Sequence, residues 1–119
     1  MNDTTALSGS DNEILELVKP IFKQIMAAHE EGAYEKIEPY LSEDMREALS
    51  EETFSEIILN HLAPLGDLTG TQFMGSLKKA DATQTLWRAK YSESEVEVLW
   101  QVFFAQDNHG VQIVGLLFS

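Results

Sequence analysis

The spacing of apolar residues changes once along this chain of 119 residues. Before Leu68 they recur every three or four positions, and from Thr69 onward they alternate. The first pattern places a stripe on one side of a helix, and the second places a row on one face of a strand. The chain therefore reads as α+β, with helices first and an antiparallel sheet after them. Its length corresponds to one domain, at roughly 100–200 residues per domain. That domain is expected over residues 11–119, preceded by a loose, disordered leader over residues 1–10. The opening MNDTTALSGSDN is polar and has no basic segment ahead of an apolar one, so it does not read as a signal peptide. Such a leader is also what trimming an export signal would leave. The expected location is cytoplasmic by default, with an exported bacterial protein as the alternative.

The first helix is predicted over Asp11–Glu31. Ser10 and Glu13 have capping-box spacing. Ile14, Val18, Ile21 and Ile25 form its stripe, widened by Leu15, Phe22 and Met26. Pro20 predicts a kink, and Gly32 a left-handed stop. A short helix over Ala33–Glu38 should end near Pro39. Ser42 should cap a turn at Glu43–Leu49, and Ser50 a longer helix over Glu51–Ala63 closed by Pro64 and Gly66. Four strands follow, near Thr71–Lys79, Thr83–Ser92, Glu95–Gln106 and Val111–Phe118, joined by short turns.

A two-residue turn at Glu93-Ser94 sets Tyr91 opposite Val96, Ala89 opposite Val98, Trp87 opposite Trp100 and Thr85 opposite Val102. Lys90 then falls across from Glu97. A turn closing at Gln106–Val111 sets Phe104 opposite Ile113 and Trp100 opposite Leu117. A three-residue turn before Thr83 sets Gly75 opposite Trp87. One face then carries Phe73, Leu77, Trp87, Tyr91, Val96, Val98, Trp100, Val102, Phe104, Ile113 and Leu117, and must lie against the helices. The other face carries Arg88, Lys90, Glu95, Glu97, Gln101 and Gln112, together with an apolar patch of Leu99, Phe103, Val114, Leu116 and Phe118. Such a patch reads as a partner surface, or as a strand covered by the leader.

Composition then narrows the chemistry. Fifteen acidic and four basic residues lie within the first 68 positions, against five and four in the remainder, and the net charge is −12. The acidity belongs to the helices and argues against nucleic-acid or anionic-membrane partners. No apolar run is long enough to predict membrane insertion. Without cysteine there is no thiolate chemistry. Glu43 and Asp44 follow one serine cap, and Glu51 and Glu52 the other, where negative charge offsets the helix dipole. His29, His61 and His109 have no metal-ligand spacing, and neither metal nor other cofactor is expected. His61, four residues after Ile57, is the best single candidate for a base. Trp87, Tyr91 and Trp100 could wall a pocket for an apolar molecule, with Tyr34 and Tyr40 at its rim, or they are plain core.

The passage AAHEEGAYEKIEPYLSEDMREALSEETFSEI and the ending NHGVQIVGLLFS resemble the nuclear transport factor 2-like superfamily, in its small bacterial domains of unknown function. The resemblance covers Asn12 to Ser119. It implies a cystatin-like, cone-shaped fold, with three helices on one face of a strongly curved four-stranded antiparallel sheet and a mouth between them. It also implies homodimers through the outer sheet face. Enzymes of that group project acidic or histidine side chains into the cone, whereas the inner sheet face here offers none, so no catalytic residue is assigned. The leading expectation is a non-catalytic homodimerising module. The alternatives are a domain holding a small apolar molecule and, third, an isomerase- or dehydratase-type enzyme using His61 and a tyrosine.

Overall fold

Trp87 faces Trp100 across two central strands, and the rest of the sheet is arranged around that pair. The computed structural model describes residues 4–119. Helix α1 (Asp11–Glu31), α2 (Glu43–Ala48) and α3 (Glu51–Ile57) precede strands β1 (Leu68–Lys78), β2 (Thr83–Tyr91), β3 (Val98–Asp107) and β4 (Gly110–Phe118). The strands form one antiparallel sheet in chain order. The molecule is α+β as expected, with its helices N-terminal. The expected strong curvature is absent: the sheet is not strongly curled, and the molecule measures 41 × 29 × 20 Å. Large side chains occupy the space between the layers. Phe22 of α1 stacks flat on Trp87, with centroids 3.8 Å apart and planes 6° from parallel.

The helix caps form where the sequence places them. The Ser10 hydroxyl accepts from Glu13 N–H, and the Glu13 carboxylate accepts from Ser10 N–H. Gly32 ends α1 at φ 67°. Ser42 and Ser50 accept from the amides of Met45 and Thr53. α1 runs through Pro20 without interruption, because that residue lies on the exposed side, where the carbonyl it leaves unbonded meets water. Two expected helices are shorter than predicted. Where a helix over residues 33–38 is expected, two 3₁₀ turns form instead, Tyr34–Lys36 and Glu38–Tyr40, since Pro39 cannot continue an α-helix. The helix beginning at Glu51 widens into a π-helical turn over Ile58–Leu62 and then tightens to 3₁₀ at Ala63–Leu65.

In the centre of the sheet the predicted register holds. Thr85 faces Val102, Trp87 faces Trp100 and Ala89 faces Val98. Glu97 lies 3.6 Å from Lys90 and 3.7 Å from Arg88. The flanking strands differ from expectation for three local reasons. The turn after Tyr91 is wider than two residues, so Val96 does not pair with Tyr91 and is 75% exposed. A bulge between Phe73 and Gly75 sets Phe73, not Gly75, opposite Trp87, with ring centroids 4.9 Å apart. Gly75 takes φ 147° there, a conformation side-chain-bearing residues rarely adopt. Leu77 consequently points outward, half exposed. A second bulge inserts Val114 between the Phe104–Ile113 and Phe103–Gly115 pairs. Everything after it is displaced by one residue, which reverses its facing. Leu116 and Phe118, expected on the outer face, pack inward opposite Val102 and Trp100. Leu117, expected inside, is 55% exposed.

The leader also differs from expectation. Residues 1–3 lie outside the described residues, but Thr5 pairs with Gln106 in an antiparallel bridge and Leu7 is 2% exposed. Leu7 N–H donates to the Thr83 hydroxyl at 2.9 Å. The segment continues the line of β2 beyond Thr83 and covers the end of the core. Replacing Leu7 with Ala is expected to cost about 2–4 kcal/mol in chemical denaturation, the usual loss for a large buried aliphatic. A loose leader would show no change.

Candidate functional site

α1 carries His29 on the same stripe as Ile21 and Ile25, one turn beyond the latter, so the helix directs an imidazole into the interior. The ring is 7% exposed. Its Nδ1–H donates to the Ile25 carbonyl at 2.7 Å. A carbonyl can only accept, so the proton sits on Nδ1 and Nε2 carries the lone pair. Phe54 of α3 and Trp100 of β3 lie against the ring at 4.8 and 5.1 Å. Nε2 has no hydrogen-bond partner among the described residues, and it is not sealed from accessible space. Burial pushes the His29 pKa below its ordinary 6.5, and the bond to Ile25 offsets this in part. The ring is therefore neutral near pH 7.

Two hollows meet at this residue. The first, about 250 Å³, opens between the end of α1, the π-helical turn and the start of β1. Met26, Ile58, Leu62 and Leu68 line it together with the polar residues His29, Glu30, Asp67 and Tyr91. Its rim is held firmly. The Glu30 carboxylate accepts from Leu68 N–H, and Asp67 N–H donates to the Ser92 hydroxyl at 2.9 Å. Gly66 turns at φ 84°, where any side chain would strike Ser92 and Glu93. The second hollow, about 380 Å³, is an apolar groove between α2, α3 and β4, lined by Met45, Leu49, Ile57, Trp100, Leu116 and Phe118 with His29 at its inner end. It owes its apolar wall to the bulge that turned Leu116 and Phe118 inward.

Of the six side chains expected around a pocket, two border these hollows. Tyr91 lines the first and Trp100 the second. The Tyr91 hydroxyl accepts from Trp100 Nε1–H at 3.2 Å, and its own proton has no acceptor among the described residues. Burial raises the Tyr91 pKa, so it stays protonated. Trp87 is core: its Nε1–H donates to the Thr85 hydroxyl at 2.8 Å. Tyr34 is buried with its hydroxyl donating to the Leu49 carbonyl at 2.7 Å, and Tyr40 is half-buried. His61 is exposed on the π-helical turn, its ring 6.3 Å from Phe118, and lines neither hollow. The histidine that matters structurally is thus His29, and the apolar stripe through Ile21 and Ile25 is the signal that points to it.

On the reverse of the sheet, Leu99 and Phe103 remain outward as expected, joined by Leu77, Leu86 and Leu117. Val114 stands in the bulge beside Phe103. Gly115 has no side chain because Phe103 covers it; a Cβ there would come within 2.9 Å of the ring. Gln84 and Gln101 bond to one another at 2.6 Å in the middle of this face. Among the described residues no group of three or more metal-ligating side chains occurs, and no helix is long and apolar enough to cross a membrane. Compared with known proteins, the chain matches no family model, no curated protein and no solved structure.

The buried imidazole makes stability depend on pH in a definite direction. Unfolded His29 titrates near 6.5 and the folded ring below it, so on acidification the unfolded chain takes the proton first. The stability contributed by the neutral ring is complete above the unfolded value and is lost as pH falls through the window between the two. The urea midpoint should drop between about pH 7.5 and about pH 5.5. His29→Gln should flatten that drop.

Proposed function

We propose that the protein is a non-catalytic homodimerising module whose two copies meet through the outer sheet face. The observation that supports this is the composition of that face. Leu77, Leu86, Leu99, Phe103 and Leu117 lie on adjacent strands of that face around the Gln84–Gln101 pair, Leu77 and Leu117 about half exposed, while Arg88, Lys90 and Glu97 stand at one end. Exposed apolar area of this kind marks an interaction surface.

Charge selects a second copy as the occupant. The helical half of the chain carries fifteen acidic against four basic residues, and the half with the sheet five against four. Two copies meeting by their helices would repel, whereas back-to-back sheets place the acidic layers at opposite ends. Four strands at about 4.8 Å spacing, roughly 30 Å long, present about 600 Å², the lower end of what a stable interface uses on each partner. Two such sheets would pack about 10 Å apart. The element order also supports placing the chain beside the nuclear transport factor 2-like superfamily, with its cone-shaped fold and its dimers through this face. A sheet that is not strongly curled is the departure from that pattern.

Sedimentation should give a mass near twice 13.4 kDa. Leu77 and Leu117 are about half exposed, so charging them leaves the core alone. The double variant Leu77→Glu/Leu117→Glu should therefore sediment as a folded monomer with unchanged circular dichroism. A variant mass equal to that of the parent would overturn the reading, as would a monomeric parent.

A further inference from the structure

The hollow beside His29 has features a packing defect does not need. His29 and Tyr91, on different elements, both line it, and their unused hydrogen-bonding capacities are complementary. His29 Nε2 is an acceptor without a donor, and the Tyr91 hydroxyl holds a proton without an acceptor. Both lean on the same indole: the His29 ring lies 5.1 Å from that of Trp100, and Trp100 Nε1–H donates to the Tyr91 oxygen. The shared indole fixes the two groups relative to one another. Beyond them the walls are apolar, and Ile58 and Leu62 reach the hollow from a π-helical turn, a geometry frequent at functional sites.

We propose that this hollow is a binding site for a small uncharged apolar molecule bearing a hydroxyl group. That hydroxyl donates to His29 Nε2 while its oxygen accepts from Tyr91 O–H, satisfying both orphan groups at once. Charge and size define the class. Glu30 and Asp67 stand at the rim of a strongly acidic protein, which disfavours carboxylates and phosphates. Met26, Ile58 and Leu62 offer an apolar ligand contact surface that water would leave favourably. A volume of about 250 Å³ exceeds the 150 Å³ or so that accommodates benzene, so a one- or two-ring alcohol fits. This site lies on the inner side of the sheet and is independent of the dimer face.

Cyclohexanol, methylcyclohexane and cyclohexanecarboxylate serve as probes, read by NMR of the His29 ring, the Trp100 indole N–H and the Phe118 ring. Cyclohexanol should shift the His29 and Trp100 signals in a saturable way. The hydrocarbon and the carboxylate should bind at least about tenfold more weakly, the difference one hydrogen bond makes. Tyr91→Phe and His29→Phe should each weaken cyclohexanol by a similar factor. If either variant does not fold, the ranking of the three probes on the parent protein still decides. The monomeric Leu77→Glu/Leu117→Glu variant should bind as the parent does, which separates this site from the dimer. Equal binding of methylcyclohexane would show a merely apolar void and overturn the proposal. So would the absence of saturable binding, or shifts at Phe118 in place of His29, which would move the ligand into the neighbouring groove.

Discussion

The pairing of Trp87 with Trp100 is the constraint on which the rest of the molecule depends. Two indoles side by side on one face leave only one way to shield them: α1 crosses that face and stacks Phe22 on the first, while His29 meets the edge of the second. Once α1 lies there, Phe54 of α3 is drawn against His29, and Tyr34 against Phe54 at 5.4 Å. The ring contacts fall into two groups, Phe73–Trp87–Phe22 and Phe118–Trp100–His29–Phe54–Tyr34, joined by the backbone pairing of the two indoles. Each ring buries a large area and prefers offset or edge contacts, so the cluster specifies orientation as well as adhesion.

The same rigidity produces the hollows. Flat and edge-on rings fill volume poorly where they meet at an angle, and the space beside His29 is bounded by groups whose positions are fixed by other bonds. The Trp100 indole is committed to Tyr91, the His29 Nδ1 to Ile25, and the Glu30 carboxylate to the backbone of β1. None of them can move inward to close the space without giving up a hydrogen bond in a low-dielectric interior, where that loss is costly.

How much of this the sequence displays depends on how far each feature is determined locally. The caps at Ser10, Ser42 and Ser50 are decided within four residues and are legible. So is the β2–β3 register, because strict alternation through Thr85, Trp87 and Ala89 leaves one solution and the Lys90–Glu97 pair agrees with it. The outer strands are not legible in the same way. A bulge costs a ladder bond and is recovered by packing: Phe73 gains an edge contact with Trp87 that Gly75 could not supply. Alternation records nothing of that exchange, and one displaced residue reverses Leu116, Leu117 and Phe118. At the candidate site Tyr91 and Trp100 stand out from their face alone, whereas His29 requires following the α1 stripe one turn further, past the point where a C-terminal cation on a helix dipole explains it equally well.

The bridge between Thr5 and Gln106 has a bearing on how the molecule comes into being. The two residues are separated by almost the whole chain, as Leu7 and Thr83 are by 76 positions. The segment around Leu7 has nowhere to dock until β2 and β3 are paired. Closure over so long a loop is entropically slow. Burial of Leu7 therefore belongs to the late steps of folding, after the central strands have found one another.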